Sequence, residues 1–287
     1  MRAIKHHQRQ VQKVCEFIDA NLDETFSLEQ LSEQAASSKY HFHRIFKSSL
    51  GISTIQYQLL AKLKRASFRL AFEREYSITD IAFEAGFDSP EAFSRAFSRT
   101  FSQTPSQFRH QPEWQCWHSK YDFRPPIYGE QTMEVKLVDF EQREVALIEH
   151  KGNPKRVYET AAKFIDWRKT TGLSPINSSH TFGIPHSDPN DTPEDEFRFD
   201  ICGAHQGAVP DNPFGVKAGV IPAGRCAVAI HKGSHDKIGD TIYYLYQQWL
   251  PESGESLRDF PCFFRYLNFI HQVDEYQLET EVYLPLK

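Results

Sequence analysis

The sequence has no CxxC pair, no glycine-rich phosphate loop, and no apolar run near the roughly 18–20 residues that a membrane helix needs. Its five cysteines (Cys15, Cys116, Cys202, Cys226, Cys262) are odd in number and widely scattered. They exclude a disulfide framework and a zinc site, and read as reduced thiols of a cytoplasmic protein. The start, MRAIKHHQRQVQKVCEF, carries positive charge with no apolar stretch behind it, so it does not read as a secretory signal. No nucleophile stands with a base at recognisable spacing, and no His, Cys or carboxylate set has metal-ligand spacing. The expectation is therefore a chain without catalytic residues, cofactor or metal.

What is present reads as globular: 40% of residues are hydrophobic and 25% charged. At 287 residues the chain is long enough for two cores. Its net charge of −5 hides an asymmetry. Residues 1–112 carry 15 Lys and Arg against 12 Asp and Glu, a net of +3, whereas residues 113–287 carry 18 against 26, a net of −8. Only the first part is suited to meet a polyanion.

That first part repeats at a period of 50–51 residues. Ser27-Leu28-Glu29-Gln30 and Ser77-Ile78-Thr79-Asp80 have the form of capping boxes, a hydroxyl followed three residues on by an acid or amide. Leu28, Leu31 and Ala35 match Ile78, Ile81 and Ala85. The first short helix breaks at Ala36-Ser37 and the second at Gly86-Phe87-Asp88. A second helix then begins after Ser38 in one copy and after Ser89 in the other, where Pro90 fits the first helical position. Phe42, Ile45 and Phe46 match Phe93, Ala96 and Phe97 as buried stripes. Each copy thus reads as a helix-turn-helix. A long amphipathic helix over about 54–73 joins them, with Ile55, Leu59, Leu60, Leu63 and Ala66 on its inner face. A further helix over about 8–20 precedes the first copy.

The outer face of the second helix holds Lys39, Tyr40, His43, Arg44 and Lys47 in one copy, and Glu91, Ser94, Arg95, Ser98 and Arg99 in the other. Any one such face can be a solvated surface. Duplication favours a different reading, because Arg44 and Arg95 hold equivalent places 51 residues apart. Arginine can fork onto guanine O6 and N7 in the major groove, and Lys, Ser and Tyr can reach phosphates or base edges.

Residues 11–109 resemble the AraC/XylS regulators. The resemblance rests on Ile81-Ala82-Phe83-Glu84-Ala85-Gly86-Phe87-Asp88-Ser89, on Phe93-Ser94-Arg95-Ala96-Phe97 and on Thr104-Pro105-Ser106-Gln107-Phe108-Arg109. It implies that the second helix of each unit enters double-stranded DNA, with Tyr40, His43, Arg44, Glu91, Ser94 and Arg95 at the bases. It also implies that one chain can bind an asymmetric site as a monomer.

Residues 112–132 read as a linker or a surface strap, with Arg124-Pro125-Pro126-Ile127 extended. From 133 to 287 the texture is α+β. Strands are expected at Val135–Phe140, Val145–His150, Phe197–Gly203, Val216–Ile221, Cys226–His231 and Thr280–Leu284, with helices near 154–170 and 236–250. Here too there is a repeat. Arg143-Glu144-Val145-Ala146-Leu147-Ile148-Glu149-His150-Lys151-Gly152 resembles Arg225-Cys226-Ala227-Val228-Ala229-Ile230-His231-Lys232-Gly233, and a helix bearing Trp167 or Trp249 follows. Two pseudo-symmetric strand–helix units would leave a cleft suited to a ligand. His150 and His231 read as strand ends before a glycine turn rather than as metal ligands. Trp249, with Tyr243, Tyr244 and Tyr246, is either core or pocket lining.

Residues 133–287 resemble the GyrI-like effector-binding domains, on Phe199-Asp200, Ile221-Pro222-Ala223-Gly224-Arg225, Leu245-Tyr246-Gln247-Gln248-Trp249-Leu250-Pro251, Pro261-Cys262-Phe263-Phe264-Arg265-Tyr266 and Glu281-Val282-Tyr283-Leu284-Pro285-Leu286. The two resemblances in tandem give a Rob-like arrangement. They imply a transcription regulator with a small, hydrophobic effector and RNA polymerase as a partner. Ligand contacts are expected from Phe264, Tyr266, Trp249, Tyr246, Glu281 and Tyr283. Phe264 stands where the family places a glutamate that meets a cationic ligand, and Glu279 or Glu281 could take over that role. Two alternatives stay open: a second domain that docks a protein partner, and a GyrI-like hydrolase tethered to DNA.

Overall fold

The computed structural model describes residues 2–121, 123 and 133–287. By contact the chain divides into two units, Met1–Gln131 with Ile270–Tyr276, and Thr132–Phe269 with Gln277–Lys287. The extended stretch expected at 124–127 lies outside the described residues.

The first unit is helical: α1 Arg2–Asp19, α2 Leu28–Gln34, α3 Lys39–Leu50, α4 Thr54–Phe72, α5 Ile78–Glu84, α6 Pro90–Phe101, α7 Pro105–His110 and α8 Trp114–His118. The start signals act as the sequence suggests. Ser27 with Gln30, and Ser77 with Asp80, form reciprocal capping boxes, and Ser38 and Ser89 cap α3 and α6. The turn inside each helix-turn-helix needs a left-handed residue. Gly86 supplies it in the second copy at φ 72°, whereas Ala36 adopts φ 48° in the first at the cost of its Cβ. Val11, Val14, Ile18, Leu31, Phe42 and Phe46 bury one stripe each to make the core of the first copy.

Two expectations are corrected here. Ile55 is not on the inner face of α4; it is 72% exposed, while Thr54, Tyr57 and Gln58 of the same turn are buried, so the packed face of the first turn runs through those residues instead. Nor are residues 114–118 a surface strap. They form α8, and Trp114 and Trp117 are buried against Phe68, with Trp114 also against Phe108.

The second unit is one eight-stranded antiparallel sheet with helices. Its strands are β1 Val135–Phe140, β2 Arg143–Lys151, β3 Thr181–Pro185, β4 Arg198–Ala204, β5 Lys217–Ile221, β6 Gly224–Lys232, β7 Phe263–Tyr266 and β8 Glu279–Pro285. The spatial order is β1-β6-β8-β7-β3-β4-β2-β5, which reads the same from either end once β6, β8, β7 and β1 are matched with β2, β4, β3 and β5. The internal repeat is thus a pseudo-twofold about the β3–β7 pair. Helix α9 (Val157–Thr171) follows β2. After β6 come α10 (Ile238–Tyr244), a π-helical turn at Leu245–Trp249 and α11 (Leu250–Ser253). The π turn absorbs the one residue by which Thr241–Trp249 exceeds its counterpart Thr160–Trp167.

Strand alternation sorts the core into two faces. On one, α9 covers Ala146, Ile148 and Ile201, and α10 covers Ala227, Ala229, Phe264 and Val282. The other carries Phe140, Phe182, Cys202, Val228, Phe263 and Tyr283. This second face is concave. β1 and β3 stand four places apart, about 19 Å in a flat sheet at ~4.8 Å per strand. Yet the Phe140 and Phe182 rings lie only 6.3 Å apart, so the sheet curls around them.

The repeated histidines explain how each helix is held to its strand. Nδ1 of His150 meets Thr160 Oγ1 at 2.8 Å and Nε2 meets the Asn153 carbonyl at 3.1 Å. His231 does the same with Thr241 at 2.9 Å and Ser234 at 2.9 Å. Both rings are buried, and burial lowers the pKa of His231. A neutral ring that donates from Nε2 and accepts at Nδ1 satisfies each set of contacts.

Candidate functional sites

The second helix of each helix-turn-helix presents the face that its buried stripe leaves outward. On α3, Phe42, Phe46 and Leu50 are buried, so Lys39, Tyr40, Arg44 and Lys47 are exposed and His43 is half-buried. On α6, Phe93, Ala96, Phe97 and Phe101 are buried, leaving Glu91, Arg95 and Arg99 exposed and Ser94 half-buried. Lys39 is tied to Glu29 at 3.1 Å. Arg44, Lys47, Arg95 and Arg99 make no hydrogen bond or ion pair among the described residues, so their charges are unspent within the chain. Two basic faces, each on a capped helix after a tight turn, form a surface that can dock a phosphate backbone and read base edges.

In the second unit the six expected ligand residues do not converge. Phe264 is only 3% exposed and packs under α10, its ring 6.3 Å from that of Phe199. Tyr246, Trp249 and Tyr266 lie on the same helix-covered side. Burial, with Cys262 beside it, pushes the Tyr246 hydroxyl up to about 12. Glu281 and Tyr283 lie on the opposite, concave face, with Tyr283 in the cluster there. The glutamate position inferred at Phe264 is therefore not on the face that bears the charges.

Arg265 and Glu281 supply those charges. They stand directly opposite across β7 and β8, with Nε 2.7 Å from Oε2. The Tyr283 hydroxyl donates to the same carboxylate oxygen, and burial and Glu281 both raise its pKa. Phe182 pairs with Arg265 on the neighbouring strand, and Phe263 with Tyr283 in the next row. The Phe263 and Tyr283 rings stack at 4.7 Å. The exposed ring of His180 lies 6.3 Å from that of Phe182, and burial with Arg265 and Arg143 lowers its pKa while Glu281 opposes them. At 29% and 16% exposure, the Arg265 and Glu281 side chains are partly exposed, whereas the Phe182, Phe263 and Tyr283 rings beside them are buried against one another. Glu279 is instead at the strand end, paired with Lys232 at 3.1 Å. Sequence reasoning missed Arg265 because its motif drew attention to the neighbouring residue, and a shift of one position along a strand changes the face.

Arg168 was also missed. Its guanidinium is buried, donates to Thr181 at 2.9 Å and Ser174 at 3.1 Å, lies over the Phe164 ring, and meets no carboxylate among the described residues. Burial pushes its pKa down to about 10. Gly203 is required beside it, since a Cβ there would come within 2.1 Å of Nη2. In sequence Arg168 is an ordinary basic residue in a last helical turn.

Comparison with known proteins gives these surfaces a context. Residues 133–287 match the model of the GyrI-like small molecule binding domain. The chain belongs to the GyrI-like family. Residues 31–111 of this GyrI-like protein match a helix-turn-helix domain model, and that region is of the AraC type. It is 46% identical over 155 residues to the probable transcriptional regulator YgiV of Escherichia coli K12, covering 54% of this chain and 97% of that protein. It is 28% identical over 186 residues to the right origin-binding protein of the same organism, covering 63% of each. Among solved structures, a cryo-EM structure of an EcmrR–DNA complex aligns over 91% of this chain and 98% of its own, at 18% identity and a TM-score of 0.47. This GyrI-like protein is a DNA-binding transcriptional regulator with a helix-turn-helix region and a GyrI-like domain. No helix among the described residues is long and apolar enough to cross a membrane.

Proposed function

We propose that this regulator reads a specific DNA site through α3 and α6, and that a small hydrophobic molecule bound on the concave face of the second unit alters that reading. The proposed domains are 1–111, with α8 packed onto them, for DNA and 133–287 for the effector. The base-reading residues are Tyr40, His43, Arg44, Glu91, Ser94 and Arg95, with Lys39, Lys47 and Arg99 toward the backbone. RNA polymerase is the partner through which a promoter-bound regulator would act, in the cytoplasm.

One observation carries the effector half of the reading. The concave face carries a partly open polar pair, Arg265–Glu281, over an aromatic cluster that is itself buried, where α9 and α10 do not cover the sheet. Apolar walls with a few converging polar groups are the usual make-up of a small-molecule site. A regulator rather than an enzyme fits both the duplicated DNA readers and the character of the relatives. Regulation further requires that the ligand favour one state of the protein over another. The test is the affinity of the full chain for a selected DNA site, measured with and without compounds that raise its melting temperature. A change in DNA affinity that saturates with the compound supports the proposal. Compounds that bind the concave face yet leave DNA affinity unaltered would refute it.

A further inference from the structure

The two helix-turn-helix copies meet at a polar joint on α4, and the joint bears on how the DNA readers are spaced, an inference that rests on the two-reader assignment above. Arg65 lies near the middle of α4, and its side chain is only 15% exposed. Its Nη2 donates both to Asp23 Oδ1 and to the Glu84 carbonyl, each at 2.7 Å. Asp23 lies in the connection that leads into α2, in the first copy. Glu84 is the last residue of α5, at the turn of the second. One nitrogen therefore holds a piece of each copy. Nη1 donates to Asp274 Oδ1 at 3.1 Å, in the Ile270–Tyr276 segment of the same unit. One turn earlier on α4, Lys62 adds a second tie. Its Nζ donates to Thr25 Oγ1 at 2.8 Å and lies against Gly86, where a Cβ would come within 2.9 Å of Nζ and 3.5 Å of the Asp23 carbonyl oxygen.

These bonds are not what gives either copy its core. The first has an apolar cluster around Leu31, Phe42 and Phe46, and the second a run of ring contacts through Phe93, Phe97, Phe101 and Phe108. A joint of charge-assisted hydrogen bonds adds direction instead, because a guanidinium is planar and its donors form a fixed fork. The pieces it holds carry the readers: α2 turns directly into α3, and the turn after Glu84 leads into α6. With both terminal nitrogens engaged inside the chain, Arg65 is placed to position the readers rather than to meet DNA. We propose that Arg65 sets the separation of α3 and α6, and so selects the number of base pairs between the two half-elements of the DNA site. It is a positioning residue that determines specificity without touching a base.

Binding of the full chain to a duplex selected from a random pool, with one base pair inserted or removed between the half-elements, tests this. Each such step moves one half-element by ~3.4 Å and turns it by roughly 35° around the axis. The natural chain should lose affinity about tenfold or more per step, the scale of a lost bidentate base contact. Arg65→Met keeps the apolar stem and removes the donors. Its penalty per step should fall to about threefold or less. Its affinity for duplexes with only one half-element should stay within about twofold of the natural chain's. Arg65→Lys, a point charge in place of a fork, should fall between the two. Melting temperatures check that the variants fold. If Arg65→Met does not, Asp23→Ala decides, because that carboxylate is 82% exposed and its removal opens one arm of the joint at the surface. Its penalty per step should be about twofold smaller than the natural chain's. An unchanged penalty in every folded variant would overturn the proposal. So would an Arg65→Met chain that loses as much affinity for single half-elements as for the full site. If the natural chain binds one half-element as tightly as two, the two-reader assignment fails and the role of Arg65 fails with it.

Discussion

Replacing Phe264 by glutamate separates the two faces of the sheet in a single experiment. The side chain is 3% exposed, among Ala227, Ala229, Leu245, Val282 and Leu284 beneath α10. Truncating a buried phenylalanine costs about 3–5 kcal/mol. A carboxyl group left in its place meets no cation in that cluster, whose polar groups are the Tyr246 and Tyr266 hydroxyls, the Trp249 indole and the Cys262 thiol. It protonates rather than remain charged, and the neutral acid still adds roughly 1–3 kcal/mol as a buried polar group. The total is about 4–8 kcal/mol against the ~5–15 kcal/mol that holds a typical domain together. Phe264→Glu should therefore bring the second unit close to unfolding, while Phe264→Leu should cost only roughly 1–2 kcal/mol. Urea denaturation of the full chain, followed by tryptophan fluorescence, measures both. The variant should gain no affinity for 2-naphthylmethylammonium in titration, because residue 264 faces away from Arg265 and Glu281. Near-normal stability together with new cation binding would show that residue 264 faces a ligand and would refute the assignment of faces.

Four further substitutions have outcomes set by their local surroundings. Ala36→Gly should stabilise the first unit by about 1 kcal/mol, because it removes a Cβ from a left-handed turn. Gly86→Ala should destabilise it by at least as much, since the new Cβ would also press on Lys62 Nζ at 2.9 Å; melting temperatures of both variants check the signs. His231 has a lowered pKa in the folded chain, so its contribution to stability is complete above the unfolded value of ~6.5 and is lost as pH falls from there toward the folded value. Denaturation midpoints between pH 7.5 and pH 5 should thus fall less for His231→Gln than for the natural chain. Gly203→Ala should destabilise the second unit by more than the usual ~1 kcal/mol of a point mutation, because Arg168 has no other seat.

The helical unit was largely legible in the sequence because its signals are local. Capping serines, Pro90 and Gly86 act within a turn of where they stand, and the 50–51 residue period confirmed each copy by the other. The strands were legible where they are long and branched, as in β1, β2 and β6. Strands β3 and β7, five and four residues long, were not. Gly183 weakens any strand signal in β3, yet it is needed there, since a Cβ would meet the Phe199 ring at 2.6 Å and the Tyr266 hydroxyl at 2.7 Å. The ligand face was the least legible part. Its residues come from strands far apart in sequence, its concavity comes from curl, and its inward positions depend on a parity that one residue reverses. Glu281 and Tyr283 were named, but the partner that defines their chemistry, Arg265, was not.

A hydroxyl-radical footprint of the full-length protein on a selected site tells whether one chain carries two DNA readers. Two protected stretches are expected on one side of the duplex, ~34 Å or one turn apart, with one chain bound per site. Arg44→Ala should remove one stretch and Arg95→Ala the other, each at a cost of about 1–3 kcal/mol in affinity. A single protected stretch, two chains on each site, or equal loss of both stretches in either variant would contradict it.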